Sequence, residues 1–203
     1  MRRSRADSLK TRHSIVLAAR RVFARRGVSQ TSMEHIATAA GVTRGAIYGH
    51  FRDKVALFRD MRDTAKVPLL DTIDEILLHD PSDPLAGAEN YLLKVLDTLR
   101  NDAATRDTFR ILLFKCEYVG EMAGETARQV ERTAELISRL EGAYRAASKL
   151  SLLRKGVTPR LAALETTSVL VGVIRLWLLD EGASLVRRDT TRLIRAHIAK
   201  LRA

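Results

Sequence analysis

Two short helical segments joined by a tight turn, in the first quarter of the chain, constrain its fold more than any other feature. The first helix is predicted to begin at Thr31, because Thr31 and Glu34 have the spacing of a capping box. Gly41 can adopt the left-handed backbone that a sharp helix exit requires. Thr43 is placed to cap a second helix and Asp53 a third. This pattern predicts a helix-turn-helix, in which the second helix is offered to the major groove of DNA.

The predicted second helix, residues 43–50, is expected to turn Val42, Ile47 and Phe51 inward and its first turn outward. Arg44 lies on that turn and is the best candidate for reading a base, because its planar fork can bond O6 and N7 of guanine together. Gly45 has no side chain, so the backbone there can approach the groove. The remaining polar residues and the amide-rich start of the first helix are expected to bind phosphates. The predicted DNA-binding residues are Thr31, Ser32, Thr43, Arg44, Gly45, Tyr48, His50 and Lys54.

The basic charge of the chain is concentrated around this motif. Of a formal net charge of +11, residues 1–62 carry 14 Lys and Arg against 4 Asp and Glu, whereas residues 63–186 carry 15 against 19. A generally basic protein would show an even spread, so the distribution favours a phosphate-binding surface near the motif. Residues 1–7 are predicted to form a loose basic arm that either contacts DNA or is merely solvated.

Helical periodicity continues along the rest of the chain, with neither strand-like alternation nor an internal repeat. Further helices are predicted at about 8–26, 54–78, 84–100, 104–116, 119–153, 159–180 and 189–201, with a kink at Pro68. The helix 54–78 is expected to connect two domains without a flexible linker. The predicted fold is therefore all-α, with a three-helix DNA-binding domain at 1–54 and a helical ligand-binding and dimerisation domain at 55–203.

The predicted helix 159–180 is apolar around nearly its whole circumference, so it needs burial on more than one side. One side can face its own domain, and the other, joined by the last helix, would be a large exposed apolar patch on a monomer. A two-fold dimer through four helices removes that exposure. The predicted dimerisation residues are Leu170, Ile174, Trp177, Ile194 and Ile198.

The run from Ile36 to Phe58, with its Ala-Gly-Val-Thr-Arg-Gly-Ala-Ile-Tyr core and the following His-Phe and Asp-Lys pairs, resembles the DNA-binding signature of the TetR/AcrR transcriptional regulators. A weaker likeness, at residues 115–122, is to the AcrR branch, whose members repress multidrug efflux genes and release DNA when a drug binds. The resemblance implies an all-helical dimer with one DNA-binding and one ligand-binding domain per chain. Gly49 departs from that branch, whose close members carry a bulky aromatic residue there.

The resemblance also favours a ligand cavity in the second domain over an ordinary packed core, which is the alternative. The predicted ligand-binding residues are Lys66, Leu70, Ile73, Leu92, Leu96, Phe109, Leu113, Phe114, Glu117 and Arg175. Arg175 interrupts an apolar helix and needs a partner if it is buried; Glu117 is one candidate, and a structural ion pair is the alternative. Lys66 stands where some AcrR relatives place a glutamate used for cationic drugs, so the same ligands are not assumed.

No enzyme signature is found: the sequence has no Gly-rich phosphate loop, no G-x-S-x-G elbow and no metal-ligand spacing. We therefore expect no cofactor and no metal. Cys116 is interpreted as a small buried hydrophobic residue rather than a redox sensor. The N-terminus lacks a signal-peptide segment, and the longest uncharged apolar run, 166–174, is too short to span a bilayer, so we expect a cytoplasmic protein with no membrane partner.

The sequence thus predicts a ligand-responsive transcriptional repressor whose partners are palindromic double-stranded operator DNA, a small and largely apolar effector, and a second copy of the chain. An activator or metabolic regulator of the same fold is one alternative. A non-specific nucleoid-type DNA-binding protein is the other. The operator, the target genes and the inducer are not predicted.

Overall fold

The computed structural model describes residues 5–64, 73–77, 79–182 and 185–203 of the chain. These residues contain no β-strand, which confirms the all-α prediction. The helices are α1 (Arg5–Arg26), α2 (Met33–Ala40), α3 (Arg44–His50), α4 (Lys54–Asp63), α5 (Ile73–Leu77), α6 (Pro84–Asn101), α7 (Ala103–Phe114), α8 (Gly124–Lys149), α9 (Pro159–Leu179) and α10 (Thr190–Leu201), with a 3-10 turn at Gly120–Met122. The chain divides into two compact units, Met1–Lys66 with Asp102–Thr126 and Val67–Asn101 with Ala127–Ala203.

The first unit is built on α1, which packs against α2, α4 and α7. Its core is a continuous cluster of buried apolar side chains, in which the Phe23 and Phe58 rings meet edge to face with centroids 6.1 Å apart. Ile111 of α7 and Met122 of the 3-10 turn belong to the same cluster. This unit therefore extends beyond the predicted boundary at residue 54, because both α4 and the later segment 102–126 complete its core.

The helix that begins at Lys54 ends at Asp63, so the prediction of one continuous helix over 54–78 is wrong. Thr64 closes α4, and its hydroxyl donates to the Met61 carbonyl at 2.8 Å. In a continued helix, residue 68 would donate its amide hydrogen to the Thr64 carbonyl. Proline has no amide hydrogen, and its ring would clash with that carbonyl. Pro68 itself lies outside the described residues, and the next described helix is α5.

The second unit combines hydrophobic packing with specific polar contacts. Gly87 of α6 lies against α5 so closely that an added Cβ would be 2.8 Å from the Leu77 carbonyl oxygen. Tyr144 of α8, Thr166 of α9 and His197 of α10 form a chain of hydrogen bonds, with distances of 2.7 Å from Tyr144 Oη to Thr166 Oγ1 and 2.8 Å from Thr166 Oγ1 to His197 Nε2. These side chains fix the relation of three helices within this unit.

The predicted starts of α6 and α9 are confirmed. The Asp83 carboxylate accepts from the Ala86 amide at 3.1 Å, and the Thr158 hydroxyl accepts from the Leu161 amide at 3.2 Å. In both helices a proline follows the capping residue. Proline is suited to this first helical position because the amide there has no partner within the helix, so no hydrogen bond is lost.

The predicted dimerisation residues are buried within the chain itself, so that assignment is wrong at the level of residues. Leu170, Ile174, Trp177, Ile194 and Ile198 are each at most 4% exposed. The apolar side chains left on the surface of α9 and α10 are instead Leu161, Leu164, Val171, Leu176, Leu179 and Leu193. Since α9 is apolar on all sides, its sequence could not indicate which side faces its own unit.

By length and composition α9 is also the one described helix that could cross a bilayer, with a mean hydropathy of 1.6 over its most apolar window. Half of that window is buried inside the protein, as it is in the core helix of a globular fold. The helix additionally contains Arg160, Glu165 and Arg175.

Candidate nucleic-acid interface

The start of α2 is capped by Ser32, not by Thr31. The Ser32 hydroxyl accepts from the His35 amide, and His35 Nδ1 accepts from the Ser32 amide, both at 3.2 Å, which completes a capping box. Thr31 is buried, and its hydroxyl donates to the Gly27 carbonyl at 2.7 Å. The predicted box of Thr31 with Glu34 is therefore wrong, and the Thr31 hydroxyl faces the protein instead of a phosphate.

The turn between α2 and α3 has the geometry that the sequence predicts. Gly41 adopts φ 66° and ψ 30°, and its amide together with that of Val42 donates to the last carbonyls of α2, as in a Schellman motif. Thr43 then caps α3 by accepting from the Ala46 amide at 3.2 Å. Ile47 is fully buried, which fixes the rotation of α3 about its axis. A rigid turn and one buried anchor thus determine which residues of α3 face outward.

The outward face of α3 carries the residues predicted to read DNA. Thr43, Arg44, Gly45 and Tyr48 are all exposed, and the Arg44 side chain is 74% exposed. Arg44 Nε lies 3.4 Å from the Glu34 carboxylate, and its guanidinium is 5.8 Å from the centre of the Tyr48 ring. The first turn of α3 is therefore available to a groove, and contact with DNA by these four residues stays a prediction.

Arg12 of α1 holds the far end of α3, a role that the sequence did not indicate. Its guanidinium donates to the His50 carbonyl at 3.0 Å and to the Asp60 carboxylate of α4 at 2.7 Å. The same group lies 4.2 Å from the centre of the Phe51 ring, within the range of a cation–π contact. One arginine thus connects α1, the end of α3 and α4. His50 is half-buried, and its predicted phosphate contact stays untested.

Lys54 does not face a phosphate, so that part of the prediction is wrong. The residue is 8% exposed, and its ammonium donates to the carbonyls of Val28 and Thr31 at 2.9 and 2.8 Å. The Glu121 carboxylate, in the 3-10 turn, lies 2.7 Å from the same nitrogen. Lys54 therefore joins the loop before α2 to the segment that follows α7.

A second carboxylate of that segment is almost completely buried between two arginines of α4. Glu125, in the first turn of α8, is 2% exposed. Arg59 approaches its Oε1 at 2.7 Å, and Arg62 Nη1 donates to its Oε2 at 2.8 Å. We call Glu125, Arg59 and Arg62 the α4 ion triad. With Lys54–Glu121, it attaches residues 120–125 to α4 within the first unit.

The described residues of the predicted ligand set are divided between the two units. Lys66 and Leu70 lie outside the described residues. Ile73, Leu92 and Leu96 are buried in the second unit, whereas Phe109, Leu113 and Phe114 are half-buried in the first. Arg175 is exposed on α9, so the condition under which it would need a buried partner is not met. An arginine in an apolar helix can also lie on the side of the helix that remains exposed to solvent.

Three side chains of the predicted ligand set, Leu113, Phe114 and Glu117, line a shallow cleft of about 270 Å³ in the first unit. Its other wall is formed by Arg26 and the turn after α1, and Ser29 donates to Glu117 across it at 3.3 Å. Cys116 lies in the same wall, where burial and the nearby carboxylates raise the pKa of its thiol to about 11. The thiol is therefore protonated at neutral pH, in agreement with a packing role.

Comparison with protein families agrees with the geometry of both units. Residues 15–61 match the family described as bacterial regulatory proteins, tetR family, and residues 83–202 match the C-terminal region of MAATS-type transcriptional repressors. The HTH-type transcriptional repressor BepR of Brucella suis biovar 1 (strain 1330) is 33% identical over 203 residues, which cover 100% of this chain and 97% of BepR.

The solved structures of two repressors, NalD and SmeT, show the same architecture. NalD, the secondary repressor of the MexAB-OprM multidrug efflux pump in Pseudomonas aeruginosa, superposes with a TM-score of 0.87 at 32% identity, covering 98% of each chain. SmeT, the repressor of the Stenotrophomonas maltophilia multidrug efflux pump SmeDEF, was solved in complex with triclosan; its TM-score is 0.83 at 25% identity, over 96% of this chain and 92% of SmeT.

Proposed function

This chain belongs to the tetR family of bacterial regulatory proteins, and from that membership we propose that it is a ligand-responsive repressor that binds a palindromic operator as a dimer. The genes that it controls are proposed to encode efflux or related functions, as do those regulated by NalD and SmeT. One observation carries the proposal: a rigid helix-turn-helix leaves the first turn of α3, with Arg44 at its start, open to a DNA groove. Catalysis is no part of the proposed role, and the proposed location is the cytoplasm.

The proposed dimer places the exposed apolar residues of α9 against those of a second copy. Leu161, Leu164, Val171, Leu176 and Leu179 are 39–56% exposed along one helix, and an apolar surface of this kind is unfavourable in water. Two-fold symmetry would cover it on both copies at once. It would also bring two α3 helices into one complex, and a palindromic site requires them about 34–36 Å apart or at a multiple of that spacing.

The proposed effector is a small and largely apolar molecule, a class to which the triclosan in the SmeT complex belongs. We place its effect on DNA binding in residues 115–126, and not in the continuous helix 54–78 that the sequence predicted. This segment carries Glu121 and Glu125, which contact α4, and α8 continues from Glu125 into the second unit. A change at α8 that displaces Glu125 would move α4, and with it the helix-turn-helix.

Footprinting of the DNA around the gene for this protein tests the proposal first. A regulator protects one short two-fold-symmetric site, whereas a nucleoid-type protein coats DNA broadly. Calorimetric titration with triclosan and other efflux substrates, with and without the protected duplex, then tests the response. Linkage requires that the duplex weaken effector binding by the same factor by which the effector weakens duplex binding, typically about 5–150-fold. Equal effector binding in both titrations would contradict ligand responsiveness.

A further inference from the structure

An exposed carboxylate stands on the surface that is proposed to face DNA. Between residues 8 and 52 the chain contains no Asp or Glu except Glu34, although residues 1–62 carry 14 Lys and Arg. Glu34 lies in the first turn of α2, and its side chain is 51% exposed. A negative charge at this place opposes phosphate binding, so its presence calls for a function.

Glu34 and the proposed base-reading arginine are in direct contact. Glu34 Oε1 lies 3.4 Å from Arg44 Nε, and both side chains remain largely open to solvent. The Tyr48 ring, one turn further along α3, lies 5.8 Å from the Arg44 guanidinium. The Glu34 amide, the Arg44 charge and the Ser32 hydroxyl together lower the pKa of the Glu34 carboxyl below its ordinary value. Glu34 is therefore ionised at neutral pH and pairs with Arg44 in the absence of DNA.

We propose that Glu34 is a specificity-determining residue, whose carboxylate holds Arg44 at Nε, so that the arginine does not turn to DNA phosphates but can still bond a guanine through its terminal nitrogens. The inference rests on the proposed function, because it assigns a role within operator recognition.

Arg44 has little to gain by leaving Glu34 for a phosphate, because it then exchanges one anion for another. A guanine offers O6 and N7 to the two terminal nitrogens of the guanidinium at once, whereas Glu34 approaches Arg44 at Nε. Arg44 can therefore bond a guanine and keep Glu34, but turning to a phosphate costs it the Glu34 pair. The carboxylate thereby weakens non-operator binding more than operator binding and raises the ratio between them.

The test is Glu34→Gln, which removes the charge and keeps the size of the side chain. Glu131→Gln is the matched control, because Glu131 is exposed on α8 in the second unit and its replacement changes the net charge equally. Dissociation constants are measured for the footprinted operator duplex and for a shuffled duplex at several salt concentrations. We expect Glu34→Gln to strengthen binding to the shuffled duplex about fivefold, the upper range for one exposed charge pair. Its log–log salt slope should steepen by up to about 0.9, the value for one added phosphate contact.

For the operator duplex we expect less than a twofold gain, so the specificity ratio falls, whereas the control leaves that ratio unchanged. In an Arg44→Gln background the Glu34 substitution should no longer alter the ratio, because the carboxylate acts through the arginine. Equal gains on both duplexes, or the same loss of ratio in the Arg44→Gln background, would overturn the inference. If the wild-type protein itself does not distinguish the two duplexes, it is the proposed function that fails.

Discussion

Removal of the negative charge from the α4 ion triad should destabilise the first unit strongly. In Glu125→Gln, one carboxylate oxygen becomes an NH2 group, which must face a guanidinium donor of Arg59 or Arg62. Arg59 also loses its carboxylate partner, and Arg62, whose side chain is only 12% exposed, keeps the exposed Asp63 at 3.0 Å but loses Glu125. Loss of one partner of a buried ion pair typically costs about 3–5 kcal/mol. Because the Arg59 side chain is 28% exposed and water can reach it, we expect about 3 kcal/mol here.

The measurement is urea unfolding followed by circular dichroism, at one fixed protein concentration because the proposed dimer would contribute to stability. A triple variant, Glu125→Leu with Arg59→Met and Arg62→Met, supplies the control. It removes all three charges of the triad, and Asp63, which loses Arg62, is half exposed to water, so the stability of this variant should lie within about 1 kcal/mol of the wild type. A loss below about 1 kcal/mol in Glu125→Gln, or an equal loss in the triple variant, would refute the view that the arginines left without Glu125 cause the effect.

Two predictions concern the second unit. Gly87→Ala should destabilise the protein by about 1–3 kcal/mol, because the new Cβ would lie 2.8 Å from the Leu77 carbonyl oxygen. Gly142→Ala, in open space on α8, should instead stabilise the protein by up to about 1 kcal/mol. Urea unfolding of both variants tests whether the two changes in stability have opposite signs. Burial lowers the pKa of His197 in the folded protein below 6.5. As the pH falls, His197 is therefore protonated in the unfolded chain before it is protonated in the folded protein. The free energy of unfolding should fall as the pH drops below 6.5 and level off below the pKa of the folded state. That fall should be smaller in His197→Gln, measured from pH 7.5 to 5, and an identical pH profile would contradict the assignment.

The helix-turn-helix was predictable because its determinants are local. Gly41, Thr43 and Asp53 act on residues within four positions of themselves, so the sequence shows both the signal and its effect. The choice between Thr31 and Ser32 as the cap of α2 was not decidable from residue type, because both side chains carry a hydroxyl group. It depends on the backbone of the turn after α1, which places the Gly27 carbonyl 2.7 Å from the Thr31 hydroxyl.

Contacts between residues far apart in the chain explain the other errors. Lys54 has the charge of a phosphate-binding residue, but its ammonium donates to two carbonyls that lie 23 and 26 residues earlier in the chain. Its carboxylate partner, Glu121, lies far along the chain in the other direction. The structural role of Arg12 likewise depends on its hydrogen bond to the His50 carbonyl, 38 residues away. Periodicity shows that a residue is on a helix, and tertiary packing alone determines whether a charge on that helix faces inward.

The central claim is that the first turn of α3 reads bases, and selection of bound duplexes from a random pool tests it most directly. The wild-type protein should enrich one two-fold-symmetric sequence. Arg44→Ala should lose preference at one base pair in each half-site, with operator affinity lowered by about 1–3 kcal/mol per bidentate contact. Arg25→Ala, an exposed arginine of α1, serves as the control and should leave the preferred sequence unchanged. An Arg44→Ala protein that selects the same sequence with the same preference at every position would contradict the claim.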